Sequence, residues 1–148
     1  MDYEKVIFVT NSDTSRGPMA AAILQKNLRF TNIIAESKGM VVLFPEPMNA
    51  KMVAVAASKG FDLSKYTSRP LEEEDFGTNV LVLVLEESNK QKIYDSFEKA
   101  INVYSVKEFI NEPGSFIDPY GGELADYGKA YDDLEDGIIK LAQKIKYE

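Results

Sequence analysis

The residues best suited to ligand binding or catalysis form a short polar loop near the N-terminus. They carry hydroxyl, amide, carboxylate and guanidinium groups, in the order Thr10, Asn11, Ser12, Asp13, Thr14, Ser15, Arg16. An apolar run at residues 6–9 precedes this 10–16 loop, and residues 17–24 have the composition of a helix start. Helix N-termini attract anions through their free N–H groups and dipole, and a guanidinium pairs well with phosphate oxygens. The sequence therefore predicts phosphate binding by residues 11–16.

The elements that must position this loop follow from the apolar pattern. Strand-like runs occupy residues 6–9, 33–35, 80–85 and 101–104. Helical patterns occupy residues 19–28, 50–58, 88 to about 97, and 124–145. Strands that alternate with helices predict an α/β fold, a doubly wound four-stranded parallel sheet with helices on both faces. Ligands bind such sheets at the carboxyl ends of the strands, where the 10–16 loop would lie.

Two of these runs carry further information. The run at residues 80–85 is apolar on both faces, which is typical of a central parallel strand. The pattern at residues 124–145 repeats at spacings of three and four, as in a coiled coil or in a helix that lies against a sheet. Because the repeat is short, we expect a helix packed on the sheet.

The composition excludes several classes of function. The chain has 148 residues with no Cys and no His, which rules out disulfides, Ser-His-Asp triads and histidine metal sites. Its net charge of −7 argues against nucleic acid and anionic membranes as partners. No apolar run is long enough to span a bilayer, and the N-terminus lacks a signal-peptide pattern. We expect one cytoplasmic domain over residues 1–148, without cofactor or metal.

The loop and a second segment resemble the low-molecular-weight protein-tyrosine phosphatase family. That family's signature is Cys, five residues, Arg and then Ser-Pro; here Thr10 stands at the Cys position and Arg16 at the Arg position. Asp118, followed by Pro, Tyr120 and two glycines, resembles the family's Asp-Pro-aromatic loop. The resemblance extends from about residue 5 to residue 145. It is closest to the bacterial subgroup that includes protein-arginine phosphatases, where a Thr matches Thr14.

The resemblance implies a role for each matched residue. In the family the Cys thiolate attacks phosphorus, the Arg and loop amides hold the phosphate, and the Asp protonates the leaving group. By this resemblance Arg16 would bind phosphate, Asp118 would be the general acid, and Tyr120 would form a pocket wall. A Thr hydroxyl at position 10 is a much weaker acid than a thiol and needs a base. We therefore expect a phosphatase-like protein that is catalytically impaired or inactive but retains an oxyanion-binding loop.

Other departures from the family pattern surround Thr10. Ser12 replaces a Gly, Asp13 replaces an Asn that braces the loop, and Gly17 replaces a Ser that hydrogen-bonds the thiolate. If Asp13 faces the centre of the loop, it would repel a phosphate dianion. If it points outward or pairs with Arg16, its own side chain would partly fill the site.

The sequence is also compatible with two other functions. The protein could be a regulatory pseudophosphatase that binds a phosphorylated residue on a partner protein, through a mouth formed by Arg16, Asp118 and Tyr120. It could instead be a flavodoxin-like FMN binder, because the hydroxyls of Thr10, Ser12 and Ser15 resemble the phosphate loop of flavodoxins. An Arg in the loop and the absence of Trp weigh against a flavin, and a yellow preparation would reveal one.

Overall fold

The computed structural model describes residues 2–147, in which parallel strands alternate with helices. The strands are β1 (Lys5–Thr10), β2 (Ile34–Gly39), β3 (Val80–Val84) and β4 (Val103–Ser105). The helices are α1 (Arg16–Asn27), α2 (Ala50–Ser58), α3 (Ser88–Ser96), α4 (Val106–Phe109) and α5 (Leu124–Tyr147). A single 3-10 turn at Glu73–Asp75 lies before β3. No helix in residues 2–147 has the length and apolar character to cross a membrane.

The sheet is parallel throughout and has the strand order β2-β1-β3-β4. The chain therefore adds β2 on one side of β1 and β3 on the other. This reversal opens a crevice at the carboxyl end of β1, where Thr10 ends the strand. The predicted four-stranded, doubly wound α/β fold is confirmed.

Helices cover both faces of the sheet because β1 is apolar on both sides. Val6 and Phe8 belong to a core that also contains buried residues of α1, α2, α4 and α5. Ile7 and Val9 point to the opposite face, where they share a smaller core with Ile93 of α3. The helix α5 packs against α1 and α2, and its buried residues share the larger core with Val6 and Phe8 of β1. It therefore belongs to the layer over one face of the sheet and not to a coiled coil.

The element boundaries differ from the sequence prediction in several places. The helix α1 begins at Arg16, three residues before the predicted start. The second strand extends to Gly39 because its edge position tolerates the polar residues 36–38, which hid it from an apolar pattern. The fourth strand lies at Val103–Ser105 rather than at 101–104. The helix α4 was not predicted; the reciprocal capping bonds between Ser105 and Glu108 start it.

Candidate functional site

A cavity of about 240 Å³ opens at the carboxyl edge of the sheet, next to the end of β1. Its wall is built from loops and helix ends of separate segments: Thr10, Asn11, Ser12, Thr14, Ser15, Arg16, Asn49, Glu86, Asn89, Asp118, Tyr120 and Tyr127. The fold thus brings the 10–16 loop together with Asp118 and Tyr120, which are distant in sequence. Of the predicted site residues, Asp13 alone does not line this cavity.

The 10–16 loop is held from outside by the connection between β2 and α2. Met40 N–H donates to the Thr10 carbonyl at 2.9 Å, and Asn49 N–H donates to the Thr14 carbonyl at 2.7 Å. The Asn49 side chain also caps α2, which fixes this connection in turn. Inside the cavity wall, the buried Ser15 hydroxyl oxygen has no hydrogen-bond partner among the described residues. Ser15 is the N-cap residue of α1, where anions bind helix N-termini.

Arg16 lies between two carboxylates. Its side chain is only 9% exposed, and Nη2 donates to Glu86 Oε1 at 2.5 Å and lies 3.6 Å from Asp118 Oδ2. Glu86 follows β3, and Asp118 belongs to the segment before α5, so the guanidinium links two walls of the cavity. A bound anion would share this guanidinium with both carboxylates, which favours ligands of low negative charge.

The Asp13 side chain points away from the cavity and pairs with groups outside the 10–16 loop. Its side chain is fully buried beneath the loop, where Oδ2 accepts hydrogen bonds from the Tyr66 hydroxyl and, at 3.0 Å, from Arg69 N–H. Ser37 Oγ lies 2.8 Å from the Tyr66 hydroxyl oxygen. With φ at 59°, Asp13 has a left-handed backbone, which Asn and Asp adopt more often than other residues except glycine. The Asp13 side chain neither faces the loop centre nor pairs with Arg16. The structure therefore gives no support to the predicted contact between this side chain and phosphate.

The environment of Asp13 changes its acidity. Burial raises the pKa of the Asp13 carboxyl, while hydrogen bonds from Tyr66, Ser37 and Arg69 N–H partly oppose the rise. Burial, together with the hydrogen bond to Asp13, raises the pKa of Tyr66 to about 12. Tyr66 therefore remains a neutral donor. Among residues 2–147, the buried Asp13 Oδ1 has no hydrogen-bond partner.

Thr10 and Gly17 are sterically matched. The Thr10 hydroxyl oxygen accepts a hydrogen bond from Asp13 N–H at 3.1 Å. A Cβ atom added at Gly17 would lie 3.2 Å from Thr10 Oγ1 and 3.4 Å from Thr10 Cγ2. Glycine at position 17 therefore gives room to the branched Thr10 side chain, and the two departures from the family signature belong together.

The outer wall of the cavity is formed by the segment at residues 118–120. Asp118 Oδ1 accepts a hydrogen bond from Tyr120 N–H at 3.1 Å, which closes a tight turn. The Tyr120 ring is 90% exposed and lies at the cavity mouth. It can contact a ligand that is too large to be enclosed.

Several wall residues were missed by the sequence analysis. Glu86 could have been found, because it follows a predicted strand at the carboxyl edge of the sheet. Asn49 also had a signal, since an Asn before an Ala-rich helix is a typical N-cap. Asn89 and Tyr127 gave no such signal, because their position depends on how α3 and α5 pack around the crevice.

Comparison with known proteins extends the match to nearly the whole chain. The low molecular weight phosphotyrosine protein phosphatase family matches residues 5–148. A protein-arginine-phosphatase of Bacillus subtilis is 31% identical over 152 residues, with 95% of this chain and 96% of the relative covered. One from Geobacillus stearothermophilus is 29% identical over 147 residues, which cover 97% of each chain.

Solved structures are similar in fold as well. A structure of the YwlE arginine phosphatase, a Cys-to-Ser mutant with a phosphorylated active-site serine, matches with a TM-score of 0.89 and 29% identity over 97% of each chain. The signature spacing from position 10 to Arg16 lies at the crevice at the end of β1. It belongs to the low molecular weight phosphotyrosine protein phosphatase family, with Thr10 where the family has its cysteine.

Proposed function

We propose that this protein binds a phosphate group in the cavity above the 10–16 loop but turns over phosphorylated substrates poorly. The observation that carries the proposal is Thr10, which stands at the nucleophile position and whose hydroxyl accepts from Asp13 N–H. A Thr hydroxyl needs a base to become a nucleophile, whereas a Cys thiol ionises near neutral pH. Removing the nucleophile of a covalent mechanism typically costs several orders of magnitude in rate.

Phosphate binding is supported by groups that do not depend on the nucleophile. The buried Arg16 guanidinium, the N-terminus of α1 and the unpartnered Ser15 hydroxyl all adjoin one cavity. The hydroxyls of Ser12 and Thr14, which lie 2.8 Å apart, add further polar contacts on the same wall. In this proposal residues 11, 12 and 14–16 hold the phosphate, and Asp118 faces the leaving group.

The ligand we propose is a phosphorylated residue on a protein, in the cytoplasm. The relatives are named for phosphoarginine and phosphotyrosine, and either side chain could extend from the cavity past Tyr120. A purely regulatory pseudophosphatase, which binds such a residue without any catalysis, is the second candidate; the exposed Tyr120 ring favours it as a contact for a partner. The family match leaves the flavodoxin alternative without support. We place this function in the single domain proposed for residues 1–148.

The anion-binding part of the proposal is tested by thermal denaturation with inorganic phosphate. We expect the melting temperature to rise with phosphate concentration, because a ligand at 100 times its dissociation constant stabilises the fold by about 2.7 kcal/mol. Arg16→Ala should abolish this rise. Arg29→Ala, a change at an exposed residue just after α1, should preserve it. A native protein that does not respond to phosphate would contradict the proposal.

The catalytic part is tested with an aryl phosphate and with phosphorylated peptides. Turnover should be barely above the uncatalysed rate. A turnover in the ordinary enzyme range of about 1–10³ s⁻¹ would refute impairment.

A further inference from the structure

We propose that the Asn89 side-chain amide and the Tyr127 hydroxyl donate hydrogen bonds to the phosphoryl oxygens of the ligand, from two sides of the cavity. The inference rests on the proposed phosphate binding and assigns two more donors to the same site. Neither residue belongs to the 10–16 loop; Asn89 lies on α3 and Tyr127 on α5. These donors extend the anion site beyond the loop and Arg16.

The first observation is a buried amide that lacks a partner. Asn89 is only 3% exposed, yet it lines the cavity, and within residues 2–147 its side-chain amide takes part in no hydrogen bond. The fully enclosed side-chain atoms without a partner in that range are Asp13 Oδ1 and Ser15 Oγ. The Asn89 amide is not sealed off in this way, so its polar atoms meet the cavity. A ligand there supplies the partner that this costly buried amide lacks.

The position of Asn89 links it to the cation of the site. Its backbone N–H donates to the Glu86 carbonyl oxygen at 3.0 Å, in the turn that starts α3. The Glu86 side chain in turn accepts from Arg16 Nη2 at 2.5 Å. The turn that pairs with the guanidinium therefore also carries the free amide.

The second observation is the direction of the Tyr127 hydroxyl. Asn49 Oδ1 accepts from the backbone N–H groups of Lys51 and Met52, so its amide nitrogen is the group that faces Tyr127. Asn49 Nδ2 donates to the Tyr127 hydroxyl oxygen at 3.2 Å. Because Tyr127 is the acceptor in this bond, its own hydrogen points elsewhere, and no acceptor for it exists in the described part of the chain. Tyr127 is buried at the cavity wall, which makes its O–H a second donor for a ligand.

The third observation is that the two donors come from opposite faces of the sheet. The helix α3 belongs to the smaller core through Ile93, whereas Tyr127 belongs to the larger core on the other face. The 10–16 loop ends β1 between these layers, and all three line one cavity. A phosphoryl group above the loop therefore lies between Asn89 and Tyr127.

The charges around Arg16 explain why uncharged donors matter here. Its guanidinium lies 2.5 Å from Glu86 Oε1 and 3.6 Å from Asp118 Oδ2, so two carboxylates share its charge before an anion arrives. Hydrogen bonds to an ionised group are stronger than those between neutral groups. Asn89 and Tyr127 supply such bonds to a phosphate without a further cation.

The test of Asn89 compares the free and the phosphate-bound protein by thermal denaturation. Asn89→Leu keeps the size of the side chain and removes the amide. Because this amide is unpaired, the melting temperature without ligand should not fall. The dissociation constant for inorganic phosphate, taken from the rise of the melting temperature with its concentration, should increase about 10-fold. Gln91→Leu is the control: it removes an exposed amide of the same helix, which pairs with Asp95, and should leave the dissociation constant unchanged.

Asn89→Asp distinguishes a donor from an acceptor. Asp has nearly the same shape but no N–H group, and it adds a negative charge. This variant should weaken phosphate binding more than Asn89→Leu does. Binding as tight as in the native protein would show that the amide does not donate, and would overturn its proposed role.

Tyr127→Phe removes the hydroxyl alone and should also raise the dissociation constant for phosphate about 10-fold. The melting temperature should fall slightly, because Asn49 loses its acceptor. Tyr131→Phe is the control from the same helix: its buried hydroxyl donates to Glu135 Oε2 at 2.9 Å and does not line the cavity. It should lower the melting temperature without changing the dissociation constant.

The failures of the two proposals can be told apart. If the native protein does not respond to phosphate, the proposed phosphate binding and this inference are both wrong. If the native protein responds, and Asn89→Leu and Tyr127→Phe respond equally, this inference is wrong and phosphate binding by the loop stands. A melting temperature of free Asn89→Leu well below that of the native protein would make Asn89 a structural residue and would also overturn the inference.

Discussion

At the scale of single residues, the site depends on a buried carboxylate beneath a polar loop. Asp13 has no exposed surface, and its side chain connects the loop to Tyr66 and Arg69. These bonds hold the loop in shape even though a left-handed backbone is unusual for a residue other than glycine. The cost is one buried oxygen, Asp13 Oδ1, without a hydrogen bond in the part of the chain that the structure describes.

This cost predicts that Asp13→Asn stabilises the protein at neutral pH. Because burial raises the folded-state pKa of Asp13, the stabilising contribution of its protonated form is complete below the unfolded-state pKa and is lost as pH rises through the folded-state pKa. An Asn carries no charge, so the variant should be more stable than the native protein by about 1–3 kcal/mol at pH 7. The gain should vanish toward pH 3 in urea denaturation.

Asp62→Asn is the matched control for this prediction. Asp62 is exposed, and hydrogen bonds from Ser64 lower its pKa. The sign is therefore reversed: stability from Asp62 is present above its unfolded-state pKa and is lost as pH falls through the folded-state pKa. Asp62→Asn should not stabilise the protein at pH 7. Equal effects of the two variants would contradict the assignment of the cost to burial.

The fit between Thr10 and Gly17 predicts how phosphatase activity could be restored. Thr10→Cys alone should restore little, because the thiol lacks a hydroxyl donor at position 17 and is close to the Asp13 charge, which raises a thiol pKa. Thr10→Cys with Asp13→Asn and Gly17→Ser should restore much more. The measurement is the hydrolysis rate of an aryl phosphate by the single and triple variants.

Gly17→Ser in the native background is the control. With Thr10 retained, the added Cβ would be 3.2 Å from Thr10 Oγ1, so the melting temperature should fall. If the single Thr10→Cys variant is as active as the triple variant, positions 13 and 17 do not matter to the nucleophile.

At the scale of elements, α5 determines where Asp118 lies. The segment before this helix is anchored by Phe116, a buried residue whose ring packs against Gly137. Ile117 N–H also donates to Asp133 Oδ2 at 2.8 Å. The positions of Asp118 and Tyr120 at the cavity therefore depend on contacts along α5.

This anchoring predicts opposite effects for two glycines of α5. A Cβ atom at Gly137 would lie 2.7 Å from Phe116 Cε1 and Cζ, so Gly137→Ala should displace the ring and lower the free energy of unfolding by about 1–3 kcal/mol. Gly128 has no atom within 4 Å of such a Cβ, so Gly128→Ala should raise stability by about 0.5–1 kcal/mol. Urea denaturation measures both. A loss of stability in both variants would mean that helix geometry, not Phe116, limits position 137.

At the scale of the whole molecule, an acidic protein presents one buried cation at its crevice. The chain has 24 acidic and 17 basic residues, yet the cavity is built around Arg16. The net charge of −7 repels anions at long range, while the loop and α1 attract them at short range. Together with Glu86 and Asp118 beside Arg16, this distribution disfavours highly charged ligands.

The sequence by itself determined the fold class, the family and the composition of the 10–16 loop. Apolar periodicity and residue spacing are local properties, so they were sufficient to find four strands and the Thr10–Arg16 signature spacing. The extension of β2 over residues 36–38 was not predictable from the sequence. Polar residues are acceptable in this strand only because β2 lies at the edge of the sheet.

The tertiary structure alone decided which groups surround the site. Asp13 turns under the loop because Tyr66, which is 53 positions away in sequence, donates to it. Arg16 is paired with Glu86, 70 positions away, and the need for glycine at position 17 appears only when Thr10 is seen packed against it. Hydrogen bonds and ion pairs act over a few ångströms, and a sequence does not specify which distant residues come that close.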